Sequence, residues 1–437
     1  MKKYTTYKDS GNKWLGLIPE HWETILLKRI AKVSTGSTPS TLENKYWDNP
    51  NYTWYTPADI KEDSIFLGSS ERKINHSAIE EGAIREFPKN SVLMVGIGSI
   101  GKIGVCPEKC SSNQQILAIT FDCCVNPLYG AYYLRASRDY ILSKVNAALL
   151  AIINQTTTGN LDFLFPPLAE QEAIVAYLDD KVGKIDSSVA AINSQIDDLK
   201  AYRQSVISET VTKGLNPNAP MKDSGIQWIG TIPEHWEVNK IKHLFDVISG
   251  ATPDSSKDEY WDGEITWVTP ADFKTPDHYV GKGKRYITRK GYDSCATTIV
   301  RAGSIIFSKR APIGSVALAS TELCTNQGCL SCVPQDGIID SNYYYYTMSA
   351  FTDVFEMYGS GTTFKEISAT DFSNFKLPVP PFAEQEAIAK YLDEKTSLID
   401  KAIKELEAQR DDLNTLKQSI ISEAVTGKID VRDWKKA

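Results

Sequence analysis

The residues best suited to chemistry include a glycine pattern in the first quarter of the chain. Gly96, Gly98 and Gly101 have the GxGxxG spacing that can cradle phosphates or a nucleotide cofactor. Such a loop needs a helix directly after it, but the residues that follow, KIGVCPEK, contain a proline and no helical period. We therefore expect no cofactor to bind this chain.

A second candidate is the tetrapeptide Asn126-Pro127-Leu128-Tyr129. It is similar to the Asn-Pro-Pro-Tyr/Phe loop of adenine methyltransferases, but the second proline is absent and no paired cofactor loop is evident. We predict a turn into a helix here. The five histidines are scattered, and no nuclease-like cluster of carboxylates and lysine stands out. The chain is predicted not to be an enzyme.

The cysteines offer one further kind of site. Cys106 with Cys110, and Cys329 with Cys332, have spacings that zinc can use, but neither pair has a matching second pair at finger-like spacing. We expect free thiols and no metal site. No apolar run approaches the roughly 18 residues of a membrane span, and the first residues lack the apolar stretch of a secretory signal. A cytoplasmic location is expected.

The elements that position these residues occur twice. KDSGNKWLGLIPEHWE from Lys8 recurs as KDSGIQWIGTIPEHWE from Lys222, an offset of 214 residues. Further matches join residues 36–39 to 250–253, 46–48 to 260–262, 54–61 to 267–274, 113–114 to 326–327, and 166–181 to 380–395. The middles, about 62–150 and 275–365, diverge. A duplicated scaffold with two different inserts suits one operation performed on two different targets.

Each copy is predicted to be an α+β domain. Apolar runs such as SVLMVGIG and GSIIFSKR indicate strands, and residues 128–146 and 341–357 indicate helices. The repeated aromatic residues, which include Trp14, Trp22, Trp47 and Trp54 with their counterparts, are predicted to be core anchors; stacking on bases is the alternative.

Two long helices follow the two domains. Each begins with Pro-Pro and acidic residues, and the ends lie near Gly214 and Gly427. A heptad seam runs along the first through Leu178, Val182, Ile185, Val189, Ile192, Ile196 and Leu199. The second seam comprises Leu392, Ile399, Ile403, Leu406, Leu413 and Ile420, with Thr396, Arg410 and Lys417 interrupting it. At about 1.5 Å per residue, each helix is on the order of 60 Å long. An ordinary core helix is the alternative for each.

These patterns predict two pseudo-symmetric globular target-recognition domains separated by two long helices that form an antiparallel coiled coil. We assign the first domain to residues 1–165, the first spacer helix to 166–215, the second domain to 216–379, and the second helix with a tail to 380–437. Antiparallel pairing would place the domains at opposite ends of a rod, whose fixed length would dictate a two-part target with an unread gap.

The chain resembles type I restriction-modification specificity subunits in three motifs. These are the IPEHWE segment after a Trp-Gly pair, the GxTP…YW…W…PAD series and the PPLAEQEAI…LD helix start. The resemblance covers nearly the whole chain, twice. It implies a non-catalytic subunit that recognises double-stranded DNA, one half-site per domain, with the helices as a ruler. It also implies docking of two methyltransferase (modification) subunits that carry S-adenosylmethionine and methylate adenine at N6. Restriction subunits with ATP-driven translocation and nuclease activity, for which Mg is expected, would join that core. A stand-alone sequence-specific DNA-binding protein is the alternative.

Base reading requires polar side chains, above all Arg for guanine and Asn or Gln for adenine. In the first copy the candidates are Arg72, Lys73, Asn75, Lys102, Asn113 and Gln114. In the second they are Lys282, Lys284, Arg285, Arg289, Lys290, Lys309, Arg310, Asn326 and Gln327. Because the Asn-Gln pair is identical in both copies, a phosphate or scaffold role is open for it.

The net charge of −7 limits what this chain can do alone. Non-specific DNA affinity comes from Lys and Arg neutralising phosphates, and residues 1–164 carry a net charge of only +2 while every later segment is acidic. We expect weak DNA binding by the isolated chain and help from its partners.

Overall fold

The computed structural model describes residues 2–62, 64–145, 151–273, 278–310, 312–360 and 365–435. The chain forms two compact units, residues 1–193 with 407–437, and residues 194–406. Each unit contains one α+β domain and a part of each of two long helices, as the repeat predicted. No helix in the described part of the chain has both the length and the apolar character needed to cross a membrane.

The domain of the first unit is built on a sheet whose strand β7 is buried on both faces. Its strands are β1 (Tyr7–Asp9), β2 (Leu17–Pro19), β3 (Glu23–Leu26), β4 (Ala31–Thr35), β5 (Tyr52–Tyr55), β6 (Lys73–Ile74), β7 (Val92–Val95), β8 (Ile103–Val105), β9 (Ser111–Ser112), β10 (Ile116–Phe121) and β11 (Asp162–Phe165). Antiparallel strands β4-β10-β7-β8 form the main sheet, β6-β5-β9 a smaller one, and β1 with β2 and β3 with β11 form pairs.

The continuous apolar run of β7 follows from this burial. Val92 and Met94 pack into the larger core, whereas Leu93 and Val95 pack into a separate cluster on the opposite face. Successive side chains of a strand point to opposite faces, so a strand covered on both sides has no polar alternation.

The helices of the first copy are α1 (Ser77–Glu80), α2 (Pro127–Ala136), α3 (Arg138–Ser143), α4 (Gln155–Gly159) and α5 (Leu168–Lys213). The helical stretch predicted at 128–146 is thus divided at Ser137, whose hydroxyl donates to the Tyr133 carbonyl. Asn126 caps α2 by accepting a hydrogen bond from the Leu128 N–H at 3.0 Å, and Pro127 is its first residue. The tetrapeptide is therefore the predicted turn into a helix.

The second copy repeats this plan. Its strands are β12 (Met221–Asp223), β13 (Thr231–Pro233), β14 (Glu237–Lys240), β15 (Phe245–Ser249), β16 (Trp261–Val268), β17 (Tyr279–Val280), β18 (Arg285–Ile287), β19 (Ile305–Ser308), β20 (Val316–Ala319), β21 (Cys324–Thr325), β22 (Cys329–Pro334) and β23 (Lys376–Val379). The main sheet is β15-β22-β19-β20-β17, the smaller one β18-β16-β21, and β12 pairs with β13 and β14 with β23. Its helices are α6 (Arg289–Asp293), α7 (Ser341–Ala350), α8 (Thr352–Met357), α9 (Ala369–Asn374) and α10 (Phe382–Val425).

The long helices α5 and α10 pair antiparallel, and each unit shows this independently. In the first unit, Ile174 and Leu178 near the start of α5 share a core with Ile421 and Val425 at the end of α10. In the second unit, the end of α5, at Ile207 and Val211, shares a core with the start of α10, at Ile388 and Leu392. The coiled-coil prediction is thereby confirmed.

Candidate nucleic-acid interface

The repeated His-Trp dipeptide fastens each domain to the start of the helix that follows it. His21 Nε2 lies 2.6 Å from Glu170 Oε1, and the Trp22 Nε1–H donates to Glu170 Oε2 at 3.0 Å. In the second copy, His235 and Trp236 hold Glu384 in the same way, at 2.7 and 3.0 Å. An acidic side chain in the first helical turn also complements the positive end of the helix dipole. The shared EHWE and AEQE segments therefore contact each other in both copies, and we call this contact between domain and helix the joint.

The glutamine after each of these glutamates completes the joint. The Gln171 side chain accepts from the Asn126 N–H at 2.8 Å and donates to the Pro166 carbonyl at 2.9 Å. Gln385 makes the corresponding bonds to the Asp340 N–H and the Pro380 carbonyl, both at 2.9 Å. Both glutamines are almost fully buried, so these bonds satisfy backbone groups that water cannot reach.

Each domain also holds the end of the other long helix. The Tyr129 hydroxyl, from the first copy, reaches the carbonyl of Val425 at the end of α10, at 3.5 Å. The Tyr343 hydroxyl, from the second copy, donates to the carbonyl of Val211 near the end of α5, at 2.9 Å. Burial raises the pKa of both phenols well above the usual value, so they remain donors.

A glycine follows the end of each long helix and packs against one of these tryptophans, Gly427 against Trp22 and Gly214 against Trp236. Gly214 and Gly427 have φ angles of 73° and 70°, the left-handed conformation that glycine adopts without strain. A Cβ atom on Gly427 would lie 2.4 Å from Pro19 and 3.2 Å from the Trp22 ring. Trp22 therefore contacts the start of one helix and the end of the other within the first unit.

The seam residues are buried or half-buried in the helix pair. Buried members are Leu178, Val182, Ile185, Ile196, Leu392, Ile399 and Ile403, and half-buried members are Val189, Ile192, Leu199, Leu406, Leu413 and Ile420. Of the polar interruptions, Thr396 is buried and its hydroxyl donates to the Leu392 carbonyl at 2.7 Å. Lys417 is also buried and donates to Asp186 on the opposite helix.

The repeated GxTP sequence packs in the same way in each domain, against the loop that contains the predicted DNA-binding residues Asn113 or Asn326. A Cβ on Gly36 would lie 2.3 Å from the Asn113 carbonyl, and a Cβ on Gly250 would lie 2.2 Å from that of Asn326, so only glycine permits this approach. The side chains of Asn113 and Asn326 close the turns by accepting from the backbone N–H two residues on. Their polar atoms support the loop.

The neighbouring glutamines are exposed instead. The Thr38 hydroxyl donates to Gln114 Oε1 at 2.5 Å, and Thr252 donates to Gln327 in the second copy. Gln114 and Gln327 are exposed on equivalent loops, and their amide N–H groups can serve as donors.

Arg72 and Arg285 occupy equivalent positions, a relationship that the sequence comparison missed. The guanidinium of Arg72 lies 5.1 Å from the ring centroid of Trp47 and 5.7 Å from that of Trp54. The guanidinium of Arg285 lies 3.5 Å from the centroid of Trp261. The offset between the copies falls from 214 to 213 residues after residue 48. This change in offset aligns Arg72 with Arg285 in the sequence.

Several other basic candidates have acidic partners. Lys309 Nζ lies 2.8 Å from Glu366, which also approaches Arg310 at 3.9 Å. Arg289 pairs with Asp293 at 3.2 Å and Lys290 with Glu259 at 3.1 Å. These pairs reduce the local positive charge available to a phosphate.

The remaining candidates differ in their setting. Lys73, Lys282 and Lys284 are exposed. Lys102 is half-buried beside a cleft of about 440 Å³ that Arg135 and Glu62 also line. Asn75 donates to the Asp48 carbonyl at 2.9 Å and accepts from the Ser77 N–H, so it shapes its own loop.

The cysteines are free thiols in the structure. Burial raises the pKa of Cys324 to about 11 and holds that of Cys332 higher still, so both remain protonated. Within the described residues, no group of three or more His, Cys, Asp or Glu side chains is placed to hold a metal ion.

Comparison with known proteins identifies the family. The family model described as "Type I restriction modification DNA specificity domain" matches residues 19–197 and 233–408, one match in each copy. The type I restriction enzyme MjaIX specificity subunit of Methanocaldococcus jannaschii is 36% identical over 41% of this chain, a match that spans 42% of that relative. The MjaVIII specificity subunit of the same organism is 24% identical over 98% of both chains. The EcoDI specificity subunit of Escherichia coli is 22% identical over 96% of this chain and 91% of its own.

A solved structure supports the fold. A chain from the study titled "Structural basis underlying complex assembly and conformational transition of the type I R-M system" superposes with a TM-score of 0.71 at 17% identity, covering 93% of this chain and 98% of that one. The two matched segments together span well over half of the sequence. The chain therefore belongs to the type I restriction-modification DNA specificity family.

Proposed function

We propose that this chain recognises a two-part DNA target for a type I restriction-modification complex, with one domain reading each half. The duplicated frame is the observation that carries this proposal. The joints to the helices share several individual hydrogen bonds between the copies, such as Trp22 to Glu170 and Trp236 to Glu384. The segments at 62–150 and 275–365 differ in sequence. One frame presents two different surfaces, as two unlike half-sites require.

The paired helices α5 and α10 would act as the spacer between the half-sites. A helix rises about 1.5 Å per residue and resists bending over this length. Antiparallel pairing with defined cross-helix contacts gives such a spacer one register. The length of the unread gap in the target would then depend on the helices and not on the base-reading loops.

The spacer helices would also dock two methyltransferase subunits. Tyr202 on α5 and Leu416 on α10 occupy equivalent positions and are 58% and 49% exposed. Large apolar side chains exposed at matching places in both copies suit two copies of one partner. S-adenosylmethionine would be bound by those subunits, and ATP and Mg by restriction subunits, so the methylation and cleavage chemistry would lie outside this chain.

A binding selection tests the proposal. The full chain, alone and assembled with a type I modification subunit of the same host, is incubated with a random duplex library, and the retained DNA is sequenced. We expect the assembly to enrich two short sequences separated by a constant number of unspecified base pairs, and the chain alone to bind weakly. Enrichment of one uninterrupted sequence would overturn the proposal. Equally tight, selective binding by the chain alone would favour a stand-alone DNA-binding protein.

A further inference from the structure

Both copies contain an arginine that lies over the equivalent tryptophan ring beside the GxTP loop, Arg72 over Trp47 and Arg285 over Trp261. We call Trp47, Trp54 and Arg72 the first arginine bracket, and Trp261, Trp267 and Arg285 the second. The two rings of each bracket meet edge to face, with centroids 5.7 Å apart in the first and 5.2 Å apart in the second. The ring pair is therefore packed in the same way in both copies.

The tryptophans are fixed by hydrogen bonds to the loop. In the first copy, Trp54 Nε1 donates to the Ser37 carbonyl and Trp47 Nε1 to the Ser40 carbonyl, both at 3.0 Å. In the second copy, Trp267 and Trp261 donate to the carbonyls of Ala251 and Asp254 at 3.0 and 3.1 Å. Each ring is thus tied to the loop by a hydrogen bond and supports the arginine that lies over it.

The arginines themselves are exposed and differ from the other basic candidates. Within the described part of the chain, no carboxylate lies in ion-pair range of Arg72 or Arg285, whereas Arg289, Lys290 and Lys309 each have one. A ring face stabilises a guanidinium through its quadrupole and accepts none of its N–H groups in the way that a carboxylate does. The supported arginine therefore keeps donors available for a ligand.

The duplication indicates which part of the DNA these two arginines bind. Arg72 and Arg285 lie within segments that otherwise diverge, yet each domain keeps an arginine on the equivalent tryptophan, so this feature does not account for a difference between the half-sites. A planar guanidinium is well matched to a phosphate, and phosphate contacts fix the position of a protein on DNA without reading sequence. We propose that Arg72 and Arg285 each bind a backbone phosphate beside one half-site. Each contact would thereby fix the position of its domain on the DNA backbone in the same way. This assignment rests on the proposed function.

The salt dependence of DNA binding tests the assignment. The full chain assembled with its modification subunit is measured on a duplex that carries the target and on one with both half-sites scrambled. We expect Arg72→Ala and Arg285→Ala each to weaken binding to both duplexes by a similar factor, roughly 3- to 10-fold at moderate salt. Each should also lower the slope of log K against log salt by about 0.9. Arg301→Ala, which removes an exposed arginine that pairs with Asp336 and is not a DNA-binding candidate, is the matched control and should leave the slope nearly unchanged.

Two outcomes would overturn the assignment. Loss of affinity for the target duplex alone would make the arginine a base reader. An unchanged slope with lower thermal stability would make the bracket purely structural. Arg72→Gln, which removes the charge but keeps the side chain as far as Cδ, provides a second measurement of the slope. Replacing single phosphates with neutral methylphosphonates locates the contact, since one substitution per half-site should weaken the wild type but not the matching alanine variant. A wild type with no preference for the target would contradict the proposed function instead, and the slopes on scrambled DNA would still test the arginines.

Discussion

The ammonium group of Lys417 lies 2.5 Å from Asp186 Oδ1, and the two residues belong to opposite helices of the coiled coil. Arg203 and Asp400 form the equivalent pair of the second unit, at 2.9 Å. The 214-residue offset relates Asp186 to Asp400 and Arg203 to Lys417, so each helix supplies one acid and one base. A polar pair in an apolar seam disfavours shifted registers, because a shift would leave a charge without its partner.

Removing Lys417 should destabilise the first unit. Its side chain is only 4% exposed, so Lys417→Ala leaves Asp186 without its cation and opens space in the seam, at an expected cost of about 1–3 kcal/mol in the free energy of unfolding. Arg203 is 27% exposed and its partner 44%, so Arg203→Ala should cost about 1 kcal/mol or less. Urea unfolding of both variants measures the difference.

The exchange of charges provides the control for this pair. Asp186→Lys combined with Lys417→Asp should recover part of the stability that either single variant loses. If the double variant were as unstable as the sum of the singles, the pair would not interact as the structure indicates.

The joint at Glu170 should matter more than the joint at Glu384. Glu170 accepts hydrogen bonds from the Tyr4 hydroxyl and Trp22 Nε1, both at 3.0 Å, and its side chain is 10% exposed. Glu384 is 42% exposed, and Asn218 stands at the position equivalent to Tyr4. We expect Glu170→Ala to cost about 2–3 kcal/mol and Glu384→Ala about 1 kcal/mol. Equal losses in thermal unfolding would contradict the role assigned to burial.

The exposed apolar pair on the helices should bind the modification subunit. Tyr202→Ala and Leu416→Ala, together, are expected to weaken assembly with that subunit at least tenfold while leaving the unfolding temperature unchanged. Lys200→Ala with Asn414→Ala, also exposed and also equivalent, is the matched control. Titration calorimetry measures both; assembly unaffected by the first pair would place the docking surface elsewhere.

The spacer prediction concerns helix length. Inserting a whole number of helical turns into one long helix should lengthen the unread gap and leave both half-site sequences unchanged. Methylation-site mapping of the variant checks this. Altered half-sites with an unchanged gap would show that the helices do not determine the spacing.

Much of this architecture could be predicted from the sequence, because its signals are local or repeated. The heptad spacing around Leu178 and Val182 predicted the seam, and Asn126-Pro127 predicted a helix start. The contact between Tyr129 and Val425 joins residues 296 positions apart, and no local pattern indicates it. The segmentation at 1–165, 166–215, 216–379 and 380–437 remains a prediction.

The interface was harder to predict for the same reason. Lys309 and Arg310 form a basic pair in the sequence, but folding brings Glu366 to them. Arg72 and Arg285 have no distinguishing local pattern, and only their shared tryptophan supports set them apart. Which of the candidate side chains contact bases remains a prediction.

Mapping methylated adenines across the host genome, with and without the gene for this chain, tests the central claim most directly. We predict that one set of methylated adenines depends on the gene, and that all of them lie in a two-part sequence with a fixed number of unread base pairs between the parts. Methylation that persists without the gene, or that falls in one uninterrupted sequence, would contradict it.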